Sequence, residues 1–163
     1  MSYNINKFFI HKTEDEPVRQ TISTSYTEVT GSRCEISGNV SNNFIYKFNF
    51  YLATIYTFGS NGDYDKPLIH VKLQKSNDNF SSNVVDISGC QFNASGDTTE
   101  NRDYHYSTYT PMFVLENLDS NYLRIVARAY TTAHEAYLHR SYTYDGSSSN
   151  EVYFNTTLLV AEI

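Results

Sequence analysis

The sequence predicts an all-β protein: an antiparallel β-sandwich of about eight strands with under about a tenth of its residues in helix. In several runs, apolar and polar residues alternate with a period of two, as in half-buried strands. Clusters of Gly, Asn, Ser and Asp separate these runs, as turns do. The 163 residues are 40% hydrophobic and include 15 Tyr and 10 Phe, which is enough for one core and too aromatic for a disordered chain.

The clearest strand lies at residues 44–52, where every even position is Phe, Tyr or Leu. Lys47 and Asn49 stand between them, which predicts one buried and one solvated face. The same alternation, or a short apolar run, predicts further strands at 69–74, 113–115, 122–130 and 157–163. Only residues 132–139 could form a turn or two of helix, and Tyr137 and Leu138 fit a strand equally well.

Two segments differ in composition. In residues 1–20 the apolar Phe8-Phe9-Ile10 precedes a polar stretch, which predicts an N-terminal arm that packs on or anchors to another molecule. The alternative is a first edge strand followed by a loop. Residues 21–163 are expected to form the β-sandwich domain. No apolar signal region follows the N-terminus, so Cys34 and Cys90 are expected to stay free thiols in a reducing compartment.

Charge and hydropathy exclude two classes of partner. The net charge of -6 repels phosphate backbones, so nucleic-acid binding is not expected. No apolar run approaches the roughly 20 residues of a membrane span, so no membrane insertion is expected.

No motif predicts catalysis, a metal or a cofactor. His134 and His139 are five residues apart, whereas a zinc-protease helix needs two His four apart. The loop with Asp63 and Asp65 lacks the bidentate Glu that completes a calcium loop. The chain has no nucleophile elbow and no phosphate-binding glycine loop. We therefore expect a protein that is not an enzyme.

Tyrosines instead indicate an interface. Tyr buries a large ring while keeping a hydroxyl available, which suits contact surfaces. Between Tyr130 and Tyr144 the only carboxylate is Glu135, and low charge with many rings is typical of an interface core. The alternative is that these rings fill the core of the chain itself. The predicted assembly interface comprises Phe8, Phe9, Tyr130, Tyr137, His139, Tyr142 and Tyr144.

A family resemblance covers residues 21–163. Its motifs are residues 135–139 (Glu-Ala-Tyr-Leu-His), 144–146 (Tyr-Asp-Gly), a Ser-rich turn and the ending Leu-Val-Ala-Glu-Ile, with 26–32 and 44–50 upstream. The stretch resembles short jelly-roll domains, similar to tumour-necrosis-factor and C1q modules, in structural proteins of tailed phages and large DNA viruses. It departs from that pattern in having Tyr144 where Trp is expected.

This resemblance implies a homotrimer located in a virion, as a fibre, decoration or minor capsid component. The implied partners are other virion proteins and a host-surface glycan. The first alternative is a lectin-like carbohydrate-binding module that uses exposed Tyr rings and loop Asp and Asn side chains. The second is a polysaccharide hydrolase, for which Glu116, Asp119 and Glu135 are the available carboxylates.

Overall fold

The computed structural model describes residues 9–14, 18–37, 42–57, 68–93, 102–130, 135–141 and 152–163. Within these ranges the regular secondary structure is entirely β, which confirms the predicted all-β class. Five of the strands are only two residues long. The strands are β1 (Phe9–Glu14), β2 (Gln20–Thr21), β3 (Thr27–Glu28), β4 (Cys34–Glu35), β5 (Phe44–Thr57), β6 (Leu68–Ser76), β7 (Val85–Asn93), β8 (Arg102–Tyr109), β9 (Met112–Leu115), β10 (Tyr122–Ala129), β11 (Glu135–Leu138), β12 (Arg140–Ser141), β13 (Val152–Tyr153) and β14 (Thr156–Glu162).

Two large antiparallel sheets form the sandwich. In the seven-stranded sheet, β14 and β11 pair in succession with one edge of β5, and β9 and β8 pair in succession with its other edge. β1 pairs with β14, and β2 pairs with β11. The five-stranded sheet runs β3-β10-β6-β7, with β4 also paired to β10. A small third sheet joins β12 to β13. The fold is therefore an antiparallel β-sandwich, as the alternating sequence pattern predicts.

The core lies between the inner faces of the two large sheets. Successive strand residues point to opposite faces, so the even residues of β5 from Phe44 to Leu52 all enter the core. From the five-stranded sheet, Ile69, Val71 and Leu73 of β6 meet them, all fully buried. Fully burying an aliphatic or aromatic side chain contributes about 1.5–3 kcal/mol. Burial of these two rows stabilises the contact between the sheets.

Residues 9–14 form an edge strand. β1 pairs with β14 over its whole length, from Phe9 opposite Ala161 to Glu14 opposite Thr156. Of the two interpretations of the N-terminal segment, the edge strand describes these six residues. Phe8 and the rest of residues 1–8 lie outside the described residues.

The ambiguous segment at residues 132–139 contains a strand where the structure describes it. Glu135–Leu138 form β11, which pairs with β5 on one side and β2 on the other. Tyr137 lies opposite Ala53 and Thr21 in this arrangement. Its β-propensity and its two neighbouring strands favour the extended form over an isolated turn of helix.

A β-bulge shapes the outer face of the five-stranded sheet. The pairing of β6 with β7 shifts by one residue between Leu73 and Gln74, so Gln74 lies opposite Asp86 rather than Ile87. A bulge turns the following side chains of its strand to the other face of the sheet. It therefore brings the Asp86 carboxylate beside Lys72 and Gln74.

Candidate functional site

The outer face of the seven-stranded sheet is apolar where it lies over β1, β14, β5 and β9. Residues directly opposite each other in antiparallel strands share a face. Phe9 pairs with Ala161, Ala161 with Ile45, and Ile45 with Val114, which places four apolar side chains in one row across four strands. Phe9 is 63% exposed and Val114 is 58% exposed.

The neighbouring row continues this surface. It runs from His11 through Leu159 and Lys47 to Met112, which is 61% exposed. The next row is polar, because Thr157 lies opposite Asn49 and the Thr110 hydroxyl donates to the side-chain oxygen Oδ1 of Asn49 over 3.2 Å. We call the apolar part of this surface the apolar face, comprising Phe9, Ile45, Met112, Val114, Leu159, Ala161 and Ile163.

The structure does not bring the predicted interface residues together. Phe9 lies on β1, at one edge of the seven-stranded sheet, whereas Tyr130 follows β10 in the five-stranded sheet. Tyr137 is half-buried on β11, where the Arg19 guanidinium carbon lies 5.2 Å from its ring centroid. Phe8, Tyr142 and Tyr144 lie outside the described residues. Of the described residues in the set, Phe9 alone belongs to the apolar face.

His139 belongs to the interior of the chain and not to a surface. Its side chain is 0% exposed, so an interface role for it within this fold is wrong. Its backbone has a φ of 71°, between β11 and β12, and its N–H donates to the Tyr51 carbonyl over 2.9 Å. Neither ring nitrogen has a hydrogen-bond partner in the part of the chain that the structure describes, and burial lowers the pKa of His139 to about 4. A positive φ between two strands turns this side chain inward, and the local sequence carries no sign of it.

The residues that sequence reasoning missed are aliphatic. Ile45, Val114 and Leu159 alternate with core residues. Each lies in a predicted strand, but no surface contact was predicted for it. One signal was available: Phe113-Val114-Leu115 and Leu158-Leu159-Val160-Ala161 are unbroken apolar runs rather than alternating ones. An unbroken apolar run is typical of a strand that is covered on both faces.

The outer face of the five-stranded sheet carries a second cluster, which we call the cationic face. Its cations lie against aromatic rings. Lys72 Nζ and the Arg128 guanidinium carbon lie 4.5 and 4.9 Å from the centroid of the Tyr26 ring. Arg124 and Arg33 lie in the same way against Phe80, at 4.1 and 5.2 Å. Cation–π contacts of this kind hold the guanidinium groups flat on the surface.

Two carboxylates lie within the cationic face, and each is already paired. Glu28 accepts hydrogen bonds from both Arg33 and Arg124, the latter over 3.1 Å. Asp86 accepts from Lys72 over 2.6 Å and from Gln74 over 2.8 Å. These donors lower the pKa of Asp86, with the Lys72 hydrogen bond as the largest cause. The pairs leave Arg128 without a carboxylate partner among the described residues.

A structured turn holds Phe80 in place. Asp78 accepts hydrogen bonds from the Ser76 hydroxyl over 2.6 Å and from the Ser81 and Ser82 amides. The chain then passes through Asn79 and Phe80 with φ of 55° and 66°, values that a bulky residue rarely adopts. The Asp78 hydrogen bonds stabilise this conformation, in which the Phe80 ring contacts both Arg33 and Arg124.

The described residues contain no group of three His, Cys, Asp or Glu side chains that could hold a metal ion. His134, Asp63 and Asp65 lie outside the described residues, and so does the side chain of Glu135. Of the other two carboxylates considered for hydrolysis, Asp119 is exposed and paired with Lys75 over 2.6 Å, and Glu116 is exposed. In the described part of the chain, no helix is long and apolar enough to cross a membrane.

Cys34 and Cys90 are both free thiols. Cys34 is buried on β4, and burial raises its pKa to about 12. Cys90 is half-buried on β7, opposite Val71, and burial raises its pKa as well. Because the thiolate is the reactive form, neither cysteine has the low pKa of a catalytic nucleophile.

The chain matches no protein-family model, and no curated protein sequence matches it. The two faces of the sandwich therefore have to be interpreted from their own geometry.

Proposed function

We propose that this protein is a structural component of a virion, an assembly module whose copies associate through the apolar face. In this proposal it forms a homotrimer and binds other virion proteins as a fibre, decoration or minor capsid component. It performs no catalysis and needs no cofactor. The resemblance of residues 21–163 to viral jelly-roll domains supports the setting, and the apolar face supports the mode of action.

The observation that carries the proposal is the unbroken apolar row Phe9, Ala161, Ile45 and Val114. Monomeric proteins rarely expose a contiguous apolar surface, and large exposed patches mark interaction sites. Around this row the face has one lysine, Lys47, and no carboxylate in the paired positions from Phe9 to Met112. Depletion of charge in an apolar centre is typical of the core of a protein–protein interface.

Strand order supports the jelly-roll part of the proposal. β8 and β9 follow one edge of β5 in succession, and β3 and β4 follow one edge of β10, so each pair counts as one interrupted strand. If β2, β11, β12 and β13 are set aside as additions, eight strands remain, which we count in chain order. In the seven-stranded sheet β1, β14, β5 and the β8–β9 strand are then the first, eighth, third and sixth strands. The other sheet has the order second, seventh, fourth, fifth. Two Greek keys wound into two sheets, as in jelly rolls, give this order.

The oligomeric state tests the apolar face directly. We expect light scattering of the full chain to give three times the chain mass of 18.7 kDa. Val114→Asp places a carboxylate at the β9 end of the apolar row and should give a folded monomer, because an unpaired buried charge destabilises an interface by several kcal/mol, on the order of 2–5. A wild-type chain that stays monomeric at every concentration would overturn the proposal.

The matched control is Val85→Asp. Val85 is also an exposed valine on a strand, but it lies on β7 of the other sheet, opposite Lys75. This variant should keep the oligomer and the thermal stability of the wild type. If both variants keep the trimer, the apolar face is not the interface.

The virion setting needs a separate measurement. Quantitative mass spectrometry of purified particles of the encoding virus should detect peptides of this chain in a fixed ratio to the major capsid protein. Abundant chain in the infected-cell lysate with none in the particles would contradict a structural role in the virion.

A further inference from the structure

We propose that Arg128, His70 and Tyr130, on the cationic face, form a binding site for a carboxylated sugar. This site lies on the five-stranded sheet, away from the apolar face. It goes beyond the assembly role and does not depend on it, because a monomeric chain would carry the same three residues in the same arrangement.

The first argument is the uncompensated charge of Arg128. Its side chain is half-buried, and its contacts are the Tyr26 ring and a 3.4 Å approach of Nη2 to Nδ1 of His70. Glu28 and Asp86, two carboxylates of this face, are both held by other cations. A partly desolvated guanidinium without an anion is unfavourable, and a bound carboxylate would supply the missing partner.

The second argument is that two hydrogen-bond donors lack acceptors. Arg can only donate, so the Nδ1 atom of His70 accepts from Arg128 and the proton of the neutral ring is on Nε2. That Nε2–H and the Nε–H of Arg128 are both buried, and neither has a partner among the described residues. Both missing partners are therefore acceptors. The oxygens of a sugar acid are acceptors, and one group of them is negatively charged.

The third argument is the position of an exposed ring. Tyr130 follows Arg128 by two residues, its N–H donates to the Leu68 carbonyl over 2.9 Å, and its side chain is 66% exposed. Its ring centroid lies 5.9 Å from that of His70. An exposed tyrosine offers a flat apolar surface with a hydroxyl at its end, which suits a sugar ring better than an inorganic anion. Exposed side chains change rotamer rapidly, so this ring can open toward a ligand and close on it.

The electrostatics favour a ligand with one localised negative charge. Lys72 and Arg128 lie on the same Tyr26 ring. Burial and, after it, the charges of Arg128 and Lys72 lower the pKa of His70. The local field is thus positive, whereas the whole chain carries a net charge of -6. A polyanion would meet that overall negative charge, while a small sugar acid meets only the local positive field.

The test uses the full chain and four probes: glucuronate, glucose, acetate and inorganic phosphate. Glucuronate and glucose differ only in the carboxylate, and acetate has the carboxylate without the sugar ring. Binding is followed by chemical-shift changes of backbone amides in β6 and β10. We expect saturable shifts around His70 and Tyr130 with glucuronate and none with glucose. The affinity for acetate and for phosphate should be lower than that for glucuronate by about tenfold or more.

Three variants locate the site. Arg128→Gln should weaken glucuronate binding by about tenfold or more, and Tyr130→Ala should reduce it to the level of acetate. The matched control is Arg33→Gln, on the same face but paired with Glu28, which should change the affinity by less than about twofold. Because Tyr130 is exposed, its variant stays folded and keeps the test valid if Arg128→Gln is unstable.

Three results would overturn the proposal. Acetate or phosphate binding as tightly as glucuronate would reduce the site to a general anion site. An equal loss of binding in Arg33→Gln and Arg128→Gln would show that the total charge of the cationic face, and not Arg128 itself, determines the affinity. Absence of shifts at His70 and Tyr130 with glucuronate would remove the site altogether.

Discussion

The hydroxyl of Tyr46 crosses the sandwich and donates a 2.5 Å hydrogen bond to the carbonyl oxygen of Ser32. Tyr46 belongs to β5 in the seven-stranded sheet, and Ser32 lies between β3 and β4 in the five-stranded sheet. The Ser32 hydroxyl in turn bonds to both the carbonyl and the N–H of Ile125. Tyr46 and Ser32 are both fully buried, so this polar chain links the two sheets through the apolar core.

Tyr46→Phe should lower the free energy of unfolding by about 1–3 kcal/mol, because it leaves a buried carbonyl without its donor. Equilibrium urea denaturation measures this change. The control is Tyr109→Phe: the Tyr109 ring packs on Phe50 and Phe92, and its hydroxyl has no hydrogen-bond partner among the described residues. Equal losses in the two variants would show that the cross-sheet bond contributes nothing.

Stability should fall in mild acid because of His139. Burial holds the His139 pKa at about 4 in the fold, against 6.5 in the unfolded chain. Between these values the unfolded chain binds the proton and the folded chain does not, so stability decreases as the pH falls from 6.5 and levels off below about 4. The full loss is about 3 kcal/mol. Urea denaturation at several pH values measures it.

His139→Asn is the variant for this test, since Asn does not titrate and tolerates a positive φ. It should reduce the pH dependence between 6.5 and 4.5. His70, whose pKa is also lowered, contributes in the same direction and remains in both proteins. An unchanged slope in His139→Asn would contradict the assignment.

The turn at residues 76–83 should depend on the Asp78 carboxylate. Asp78→Asn removes one acceptor oxygen, so the Ser82 and Asn83 amides should exchange with deuterium faster while those of β10 keep their rates. Hydrogen bonds from Ser76 and Ser82 hold the pKa of Asp78 well below 3.8, so the wild-type turn should stay protected at pH 4. Asp119→Asn is the control, and equally fast exchange in it would contradict a special role for Asp78.

Alkylation should distinguish the two cysteines. Cys34 is buried with its pKa raised to about 12, whereas Cys90 is half-buried on β7. Iodoacetamide should therefore modify Cys90 first in the native protein and Cys34 only after denaturation. Timed labelling followed by peptide mass spectrometry measures both rates. Cys90→Ser should leave the native protein unlabelled, and rapid labelling of that variant would show that β4 opens readily.

The period-two pattern was sufficient to predict the fold class and the inner faces of the main strands. The even residues of β5 from Phe44 to Leu52 enter the core, and so do Ile69, Val71 and Leu73 of β6, as their alternation predicts. Which strands pair with each other could not be predicted. β1 and β14 are far apart in the sequence, and no local pattern indicates their contact. The bulge opposite Gln74 was equally hidden, because it depends on register and not on composition.

The candidate surfaces were harder to predict than the fold. The many aromatic residues led to the prediction of an interface that includes Tyr130 and Tyr137. The contiguous apolar surface instead consists largely of aliphatic residues from separate strands. Phe9 was predicted as an interface residue and is exposed, but its neighbours Ala161 and Val114 become visible only in the paired strands. Arg124 and Arg128 lie on the outer face of a predicted strand, but their contacts with Phe80 and Tyr26 depend on distant loops.

The position of β14 between β1 and β5 has a consequence for how the chain folds. β5 is made early in synthesis, yet the edge that β14 covers stays open until residues 156–162 have emerged from the ribosome. β1 waits for the same strand, since β14 is its only partner in the described part of the chain. Closing the long loop between β5 and β14 is slow and costs entropy, and strand edges that stay open promote aggregation. The nascent chain should therefore need a chaperone or a low synthesis temperature, and its yield should respond to both.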